Sequence, residues 1–218
     1  MYKKMIITVF ILFGLLLICS PFLKGGIIAY LSKNQNESAL TVEQLKKNNE
    51  KEAAFEFDSI QPPDLMEAIK AGFDHDQKAI IGRITIKSVD LELPILKGTT
   101  NESLLIGAAT MRPDQKMGEG NYPLAGHHLK QKSLLFGPLL NIKKGAKIVI
   151  TDFKKDYIYS VTSTETISEI HADVIQNTKE KEITLITCDK AVETKGRLAV
   201  KGKLIDAVGH TDDINSEM

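Results

Sequence analysis

Two kinds of hydrophobic pattern divide this chain. From Met5 to Leu23 nearly every position is apolar and none is charged. As a helix that run rises about 28 Å, close to the hydrocarbon thickness of a bilayer. From Ile80 onward the pattern changes to period two, the signature of half-buried strands. Ile81-Gly82-Arg83-Ile84-Thr85-Ile86 alternates, and so does Val89 to Ile95, with Lys87-Ser88 as the bend. Tyr122 to His127 reads as a short strand, with Pro123 at its beginning or on an edge. Lys147 to Thr151 and Tyr157 to Val161 form a hairpin across 152–156, and Ile183 to Cys188 and Leu198 to Val208 supply the last strands. Asn101 to Gly107 and Ala172 to Gln176 read as helical turns, Met111 to Gly120 as a polar loop, and Leu134 to Ile142 as an apolar connection. Many short strands and few helices argue for a mainly β fold, a closed barrel or a sandwich of about 130 residues.

Between the two patterns, Ser32 to about Glu56 is polar and reads as a stalk, helical or partly disordered. Leu40 and Leu45 are too sparse for a coiled coil. Pro62 and Pro63 break the stalk, and Asp64 to Ile69 reads as a short helix with Asp64 as its N-cap. The chain is therefore expected to divide into an N-terminus over 1–4, a transmembrane anchor over 5–23, an external stalk over 24–78, a catalytic barrel over 79–208 and a flexible tail over 209–218. No small-x-small cleavage site follows the apolar run, which disfavours a cleaved signal peptide. Bulky Ile18 before Cys19 disfavours a lipidated cysteine. Lys3 and Lys4 favour a cytoplasmic N-terminus and a domain on the outer face of the cell membrane.

Composition narrows the chemistry. Formal net charge is zero over 218 residues, so nothing calls for a nucleic-acid partner. The cysteines are Cys19, inside the apolar run, and Cys188, so the folded part carries one thiol and no disulfide framework. Such a thiol is either a buried packing residue or a nucleophile. The second reading needs a base and a group to hold an acyl oxygen. His127 can take the thiol proton and return one to a leaving amine. Arg197, nine residues after Cys188, offers several fixed donors and a permanent charge. Neighbouring residues on a strand point to opposite faces, so only one of His127 and His128 is expected to face the site. No HExxH, CxxC or EF-hand pattern is present, so no metal site is expected.

The run Thr184-Leu185-Ile186-Thr187-Cys188 followed by Arg197 resembles the TLxTC…R signature of the sortases, and within them class A, the housekeeping group of Gram-positive bacteria. Leu124-Ala125-Gly126-His127 resembles the segment carrying their catalytic histidine. Ile81 to Ile86 and Leu93-Pro94-Ile95 resemble the opening strands of their barrel. The resemblance implies a sortase-type closed barrel of about eight strands. It also implies that Cys188 attacks the Thr–Gly bond of an LPXTG sorting signal, that His127 serves as acid and base, and that Arg197 binds substrate and steadies the oxyanion. The acyl group would pass to the amine of a peptidoglycan precursor, lipid II, joining a surface protein to the cell wall with no cofactor. Ala125, Ile186 and Thr187 would line the groove for the Leu-Pro part. Some class A enzymes bind calcium through acidic residues in the loop before the histidine. Here Met111 to Asn121 places Arg112 and Lys116 beside Asp114 and Glu119, and calcium independence is expected. A cysteine hydrolase and a tethered binding module are the competing readings.

Overall fold

The computed structural model describes residues 2–36, 41–57, 60, 66, 79–169, 172–192 and 194–211; at residues 13, 16–22, 35, 36 and 172 it describes the backbone alone. The expected helix from Asp64 to Ile69 lies outside the described residues, apart from Met66. From Ile80 the chain forms eight strands: β1 (Ile80–Ile86), β2 (Leu91–Leu96), β3 (Ala108–Thr110), β4 (Asn121–Ala125), β5 (Lys147–Thr151), β6 (Lys155–Ser168), β7 (Glu182–Cys188) and β8 (Gly196–Gly209). They close into a barrel in the order β1-β2-β3-β4-β7-β8-β6-β5. Closure leaves no open sheet edge. Alternation along each strand fills the interior: Ile84 and Ile86, Leu93 and Ile95, Tyr122 and Leu124, Ile148 and Ile150, Ile183 and Leu185 all belong to one buried cluster.

Several strands differ from the alternation: β4 ends at Ala125 rather than His127, β6 runs on past Val161 to Ser168, and β3 was not expected. Lys87–Val89 winds into a single 3-10 turn and Asp90 takes φ 51°, so β2 begins at Leu91 rather than Val89. The three small residues of β3 carry too weak a pattern to read in advance, yet this strand links β2, to which it is parallel, with β4. It follows α3 (Asn101–Ile106), which opens with a capping box: Thr100 Oγ1 accepts from Ser103 N–H at 3.1 Å and Ser103 Oγ accepts from Thr100 N–H at 3.0 Å.

The N-terminal elements dock on this barrel. α1 is one helix from Tyr2 to Asn36. Gly25, Ile28, Leu31 and Ser32 are buried, at a helical spacing that makes one stripe. That stripe packs against β2 and α3. The earlier half of the helix instead exposes Met5, Ile6, Ile7, Val9, Phe10, Ile11, Leu12 and Leu15. Counted on the described residues alone, no helix is long and apolar enough to cross a membrane. Beyond α1 the polar stretch is not a free stalk. α2 (Val42–Glu50) buries Leu45 beside Ile80, Leu96 and Ile106, and Asn48 Nδ2 donates to the Ile80 carbonyl at 2.9 Å. The chain then runs on beside Gly98 and Thr99: Thr99 N–H donates to Ala54 O at 3.0 Å and Glu56 N–H to Thr99 O at 2.8 Å. One apolar side chain and one amide suffice to dock a short polar helix, which is why composition alone suggested a stalk. The start of the expected tail is likewise tied down. His210 Nδ1 lies 2.8 Å from Asp156 Oδ1 and its ring sets an edge against Phe153.

Candidate active site

The barrel's register brings the three chemical segments to one end. β4 and β7 run parallel with Ala125 level with Ile186, and Gly126 N–H donates to Ile186 O at 3.1 Å. His127 lies two residues beyond Ala125, just past the end of β4, and Cys188 lies two beyond Ile186 as the last residue of β7. β8 runs antiparallel to β7 and places Arg197 directly opposite Cys188. A cross-strand pair keeps side chains within about 5.5 Å at the Cβ atoms. The strand pairing accounts for nine residues of sequence separation becoming one neighbouring pair.

Gly126 makes the turn after β4 possible. A Cβ there would come within 2.5 Å of the Phe136 ring, and Phe136 N–H donates to His127 O at 3.0 Å. The loop therefore folds back tightly and buries its histidines. His127 is 8% exposed and its Nε2 has no hydrogen-bond partner among the described residues. Burial, and then the Lys24 ammonium of α1, push its pKa down to about 4. An unpartnered buried ring nitrogen costs about 1–3 kcal/mol and is the kind of exception functional groups make. His128 was not among the expected site residues. Both histidines lie beyond the end of β4, so strict alternation does not separate them. His128 Nδ1 lies 2.9 Å from the Cys188 carbonyl oxygen. A carbonyl only accepts, so this nitrogen carries the proton and the ring ties the histidine loop to the backbone of the nucleophile.

Cys188 is half-buried and its thiol is free. Desolvation raises its pKa, opposed by the Arg197 guanidinium and reinforced by Asp189 and Glu169. With His127 shifted down and Cys188 shifted up, the resting pair at pH 7 is neutral thiol and neutral imidazole. Arg197 is held on several sides. Its Nη1 donates to Thr194 O at 2.7 Å and Gly196 O at 3.0 Å, and its Nη2 meets Glu169 Oε2 at 3.1 Å. Thr194 Oγ1 also donates to Asp189 Oδ1 at 2.8 Å, closing the loop that carries the arginine.

The outer face of β7 leads to Cys188. Ile183 and Leu185 face the barrel interior, so Thr184, Ile186 and Cys188 share the outer face of β7. Ala125 and Ala199 flank Ile186 on the same face. Ala125 and Ile186 lie side by side on that face. Thr187 does not: alternation turns it inward with Leu185, it is 2% exposed, and its Oγ1 has no partner among the described residues. The segment between β6 and β7 is fastened across β4 and β7 at their other end. Asn121 Nδ2 donates to Val174 O at 2.9 Å and Gln176 O at 3.0 Å, while Asn121 Oδ1 accepts from Thr184 Oγ1 at 2.8 Å. Arg112 grips Asp114 through two 3.0 Å bonds and donates from Nη1 to Ile175 O at 3.2 Å. Among the described residues no cluster of His, Cys, Asp and Glu has the makings of a metal site.

Comparison with known proteins adds a family. The family model described as "Sortase domain" matches residues 84–205. A protein named Sortase A from Listeria monocytogenes is 49% identical over 204 residues, 94% of this chain and 92% of its own. One named Putative sortase YwpE from Bacillus subtilis is 78% identical over 102 residues, 47% of this chain and all of its own. The crystal structure of Listeria monocytogenes sortase A superposes with a TM-score of 0.62, covering 63% of this chain and 95% of that one at 49% identity.

Proposed function

Because this chain belongs to the sortase family of transpeptidases, we propose that it cleaves the Thr–Gly bond of an LPXTG-type sorting signal. The threonine carbonyl is then joined to the amine of a peptidoglycan precursor such as lipid II. The observation that supports this reading is the register: Cys188 stands opposite Arg197, and the strand that leads to His127 runs beside the strand that ends at Cys188. Attack by sulfur on the threonine carbonyl carbon forms the S–C bond, and the thiol proton passes to His127. Collapse of the tetrahedral intermediate breaks the C–N bond, and His127 returns the proton to the departing glycine amine. The incoming amine then attacks the thioester, gives a proton to His127, and releases the Cys188 thiol. Arg197 donates to the substrate and the developing oxyanion. Ala125 and Ile186 receive the Leu-Pro portion.

In this reading α1 anchors the enzyme, with its N-terminus inside and the barrel on the outer face of the membrane. The uncharged run Met5–Leu23 and the apolar surface its described residues expose support the anchor. The reading also includes calcium independence. Arg112 already occupies Asp114 and reaches the Ile175 carbonyl, so a fixed cation bridges the two loops. A calcium titration giving severalfold activation would overturn that part.

The test is mass spectrometry of the protein incubated with an LPXTG peptide and an amine donor. A Thr-to-amine product that vanishes in Cys188→Ala supports the transpeptidase reading. Release to water alone, despite excess amine, points to a hydrolase. An untouched peptide with the protein folded removes the roles of His127 and Arg197.

A further inference from the structure

Charge is balanced over the whole chain but not along it. Between Asn121 and Thr151 there is no aspartate or glutamate, while Lys130, Lys132, Lys143, Lys144 and Lys147 all fall there. All five are exposed, and none takes part in an ion pair among the described residues. This stretch is the connection from the end of β4 to the start of β5. β4 runs toward the end of the barrel where Cys188 lies, and β5 starts from that end, because β1 finishes beside it and Thr85 pairs with Val149. The lysines therefore crown the active-site end of the barrel. Among the described residues, Asp189 and Glu169 lie at this end on the Arg197 side, with Glu169 engaged by that arginine, and Glu92, level with Thr85, is engaged by Arg83. Asp90 sits in the turn next to Lys87.

The second observation is where this crown sits relative to α1. Gly25 of the helix packs against Gln131, between Lys130 and Lys132, and against Leu134; a Cβ at Gly25 would come within 2.3 Å of Gln131 Oε1. Gly25 is two residues beyond Leu23, the last apolar residue of the uncharged run. The lysine loop thus touches the helix where it would emerge from hydrocarbon into headgroups.

We propose that the β4–β5 connection is a docking surface for anionic phospholipid headgroups, holding the mouth of the active site against the membrane. The proposal rests on the anchor reading above. Juxtamembrane lysines are drawn to anionic leaflets over roughly a Debye length, about 8–10 Å. A helix continuous from Tyr2 to Asn36 and packed on Gln131 brings the loop within that range. The ordinary alternative for a lysine-rich loop is a solvated surface that binds nothing.

The test uses the full chain. Flotation with phosphatidylcholine vesicles comes first; a chain that does not float removes the anchor, and this proposal with it. Hydrogen exchange is then compared in nanodiscs of phosphatidylcholine alone and with phosphatidylglycerol. Amides over residues 129–147 are expected to exchange at least about threefold more slowly in the anionic discs, with the difference abolished by high salt. Replacing Lys130, Lys132, Lys143 and Lys144 together by glutamine should erase the difference, and replacing them by arginine should keep it. A chain that floats but exchanges equally in both discs overturns the docking surface and leaves the anchor standing. Protection that survives the glutamine variant also overturns it.

Discussion

At the scale of single residues, the site is built from groups whose proton affinities are moved apart by burial. His127 is pushed down to about 4 and Cys188 is pushed up. Alkylation of Cys188 by iodoacetamide should therefore keep accelerating as pH rises through 8, with no plateau in the neutral range, because thiolate is the reactive form. The sign for stability follows from the histidine. An unfolded chain protonates His127 near 6.5, the folded chain only near 4. Stability is thus unaffected above 6.5 and falls as pH drops toward 4, by on the order of 3 kcal/mol in full. Urea midpoints at pH 7 and pH 4.5 should converge in His127→Gln relative to the parent, which removes the titrating group. Arg197→Lys should lower kcat/KM by about a hundredfold, since one ammonium cannot reproduce the fixed donor fork at Thr194, Gly196 and Glu169; steady-state kinetics with the peptide checks this. Strand-end residue types and the TLxTC…R order single out Cys188, His127 and Arg197 in the sequence, and the strand register brings their segments to one end of the barrel. Thr187 was misplaced although alternation from Cys188 would have turned it inward. His128 was set aside on strand alternation, and its contact with the Cys188 backbone, across 60 residues of sequence, has no local signal.

Among elements, strands carrying β-branched and aliphatic alternation were readable, and those held by long-range polar contacts were not. β3 is Ala-Ala-Thr and exists only because β2 and β4 offer it partners. The β6–β7 segment is organised by Arg112 and Asn121, more than 50 residues upstream in the chain. Arg112→Gln should loosen it. Amide exchange around Val174 to Asn177 is expected to accelerate while the thermal midpoint barely moves, because the ion pair with Asp114 is mostly exposed on the carboxylate side. α2 makes the opposite case. Leu45 is 2% exposed against Ile80, Leu96 and Ile106. Leu45→Ala should cost about 2–4 kcal/mol in urea unfolding. A free stalk would show no change.

Over the whole molecule, the mainly β fold could be read from alternation and the closed barrel from the family resemblance, but the seat of the N-terminal helix could not. The stripe of Gly25, Ile28, Leu31 and Ser32 is continuous with an apolar run that masks its periodicity. That seat is coupled to the chemistry, since Lys24 acts on His127. Ile28 is fully buried, so Ile28→Glu should undock this half of α1. His127, relieved of burial and of Lys24, should then titrate closer to 6.5, as followed by its imidazole NMR resonances. An unmoved titration would mean the loop alone buries the ring.

The unbroken course of α1 bears on how such an enzyme meets its substrates. A catalytic head on a slack tether sweeps a volume, and its encounters depend on tether length. A head seated on a continuous helix has no such play. With α1 as the proposed anchor, its site would stay at one height above the bilayer and explore a plane by lateral diffusion. Turnover would then track the surface density of precursors in the membrane rather than their bulk concentration. A sorting signal held a few residues too near or too far from its own membrane segment would pass beside the site unprocessed.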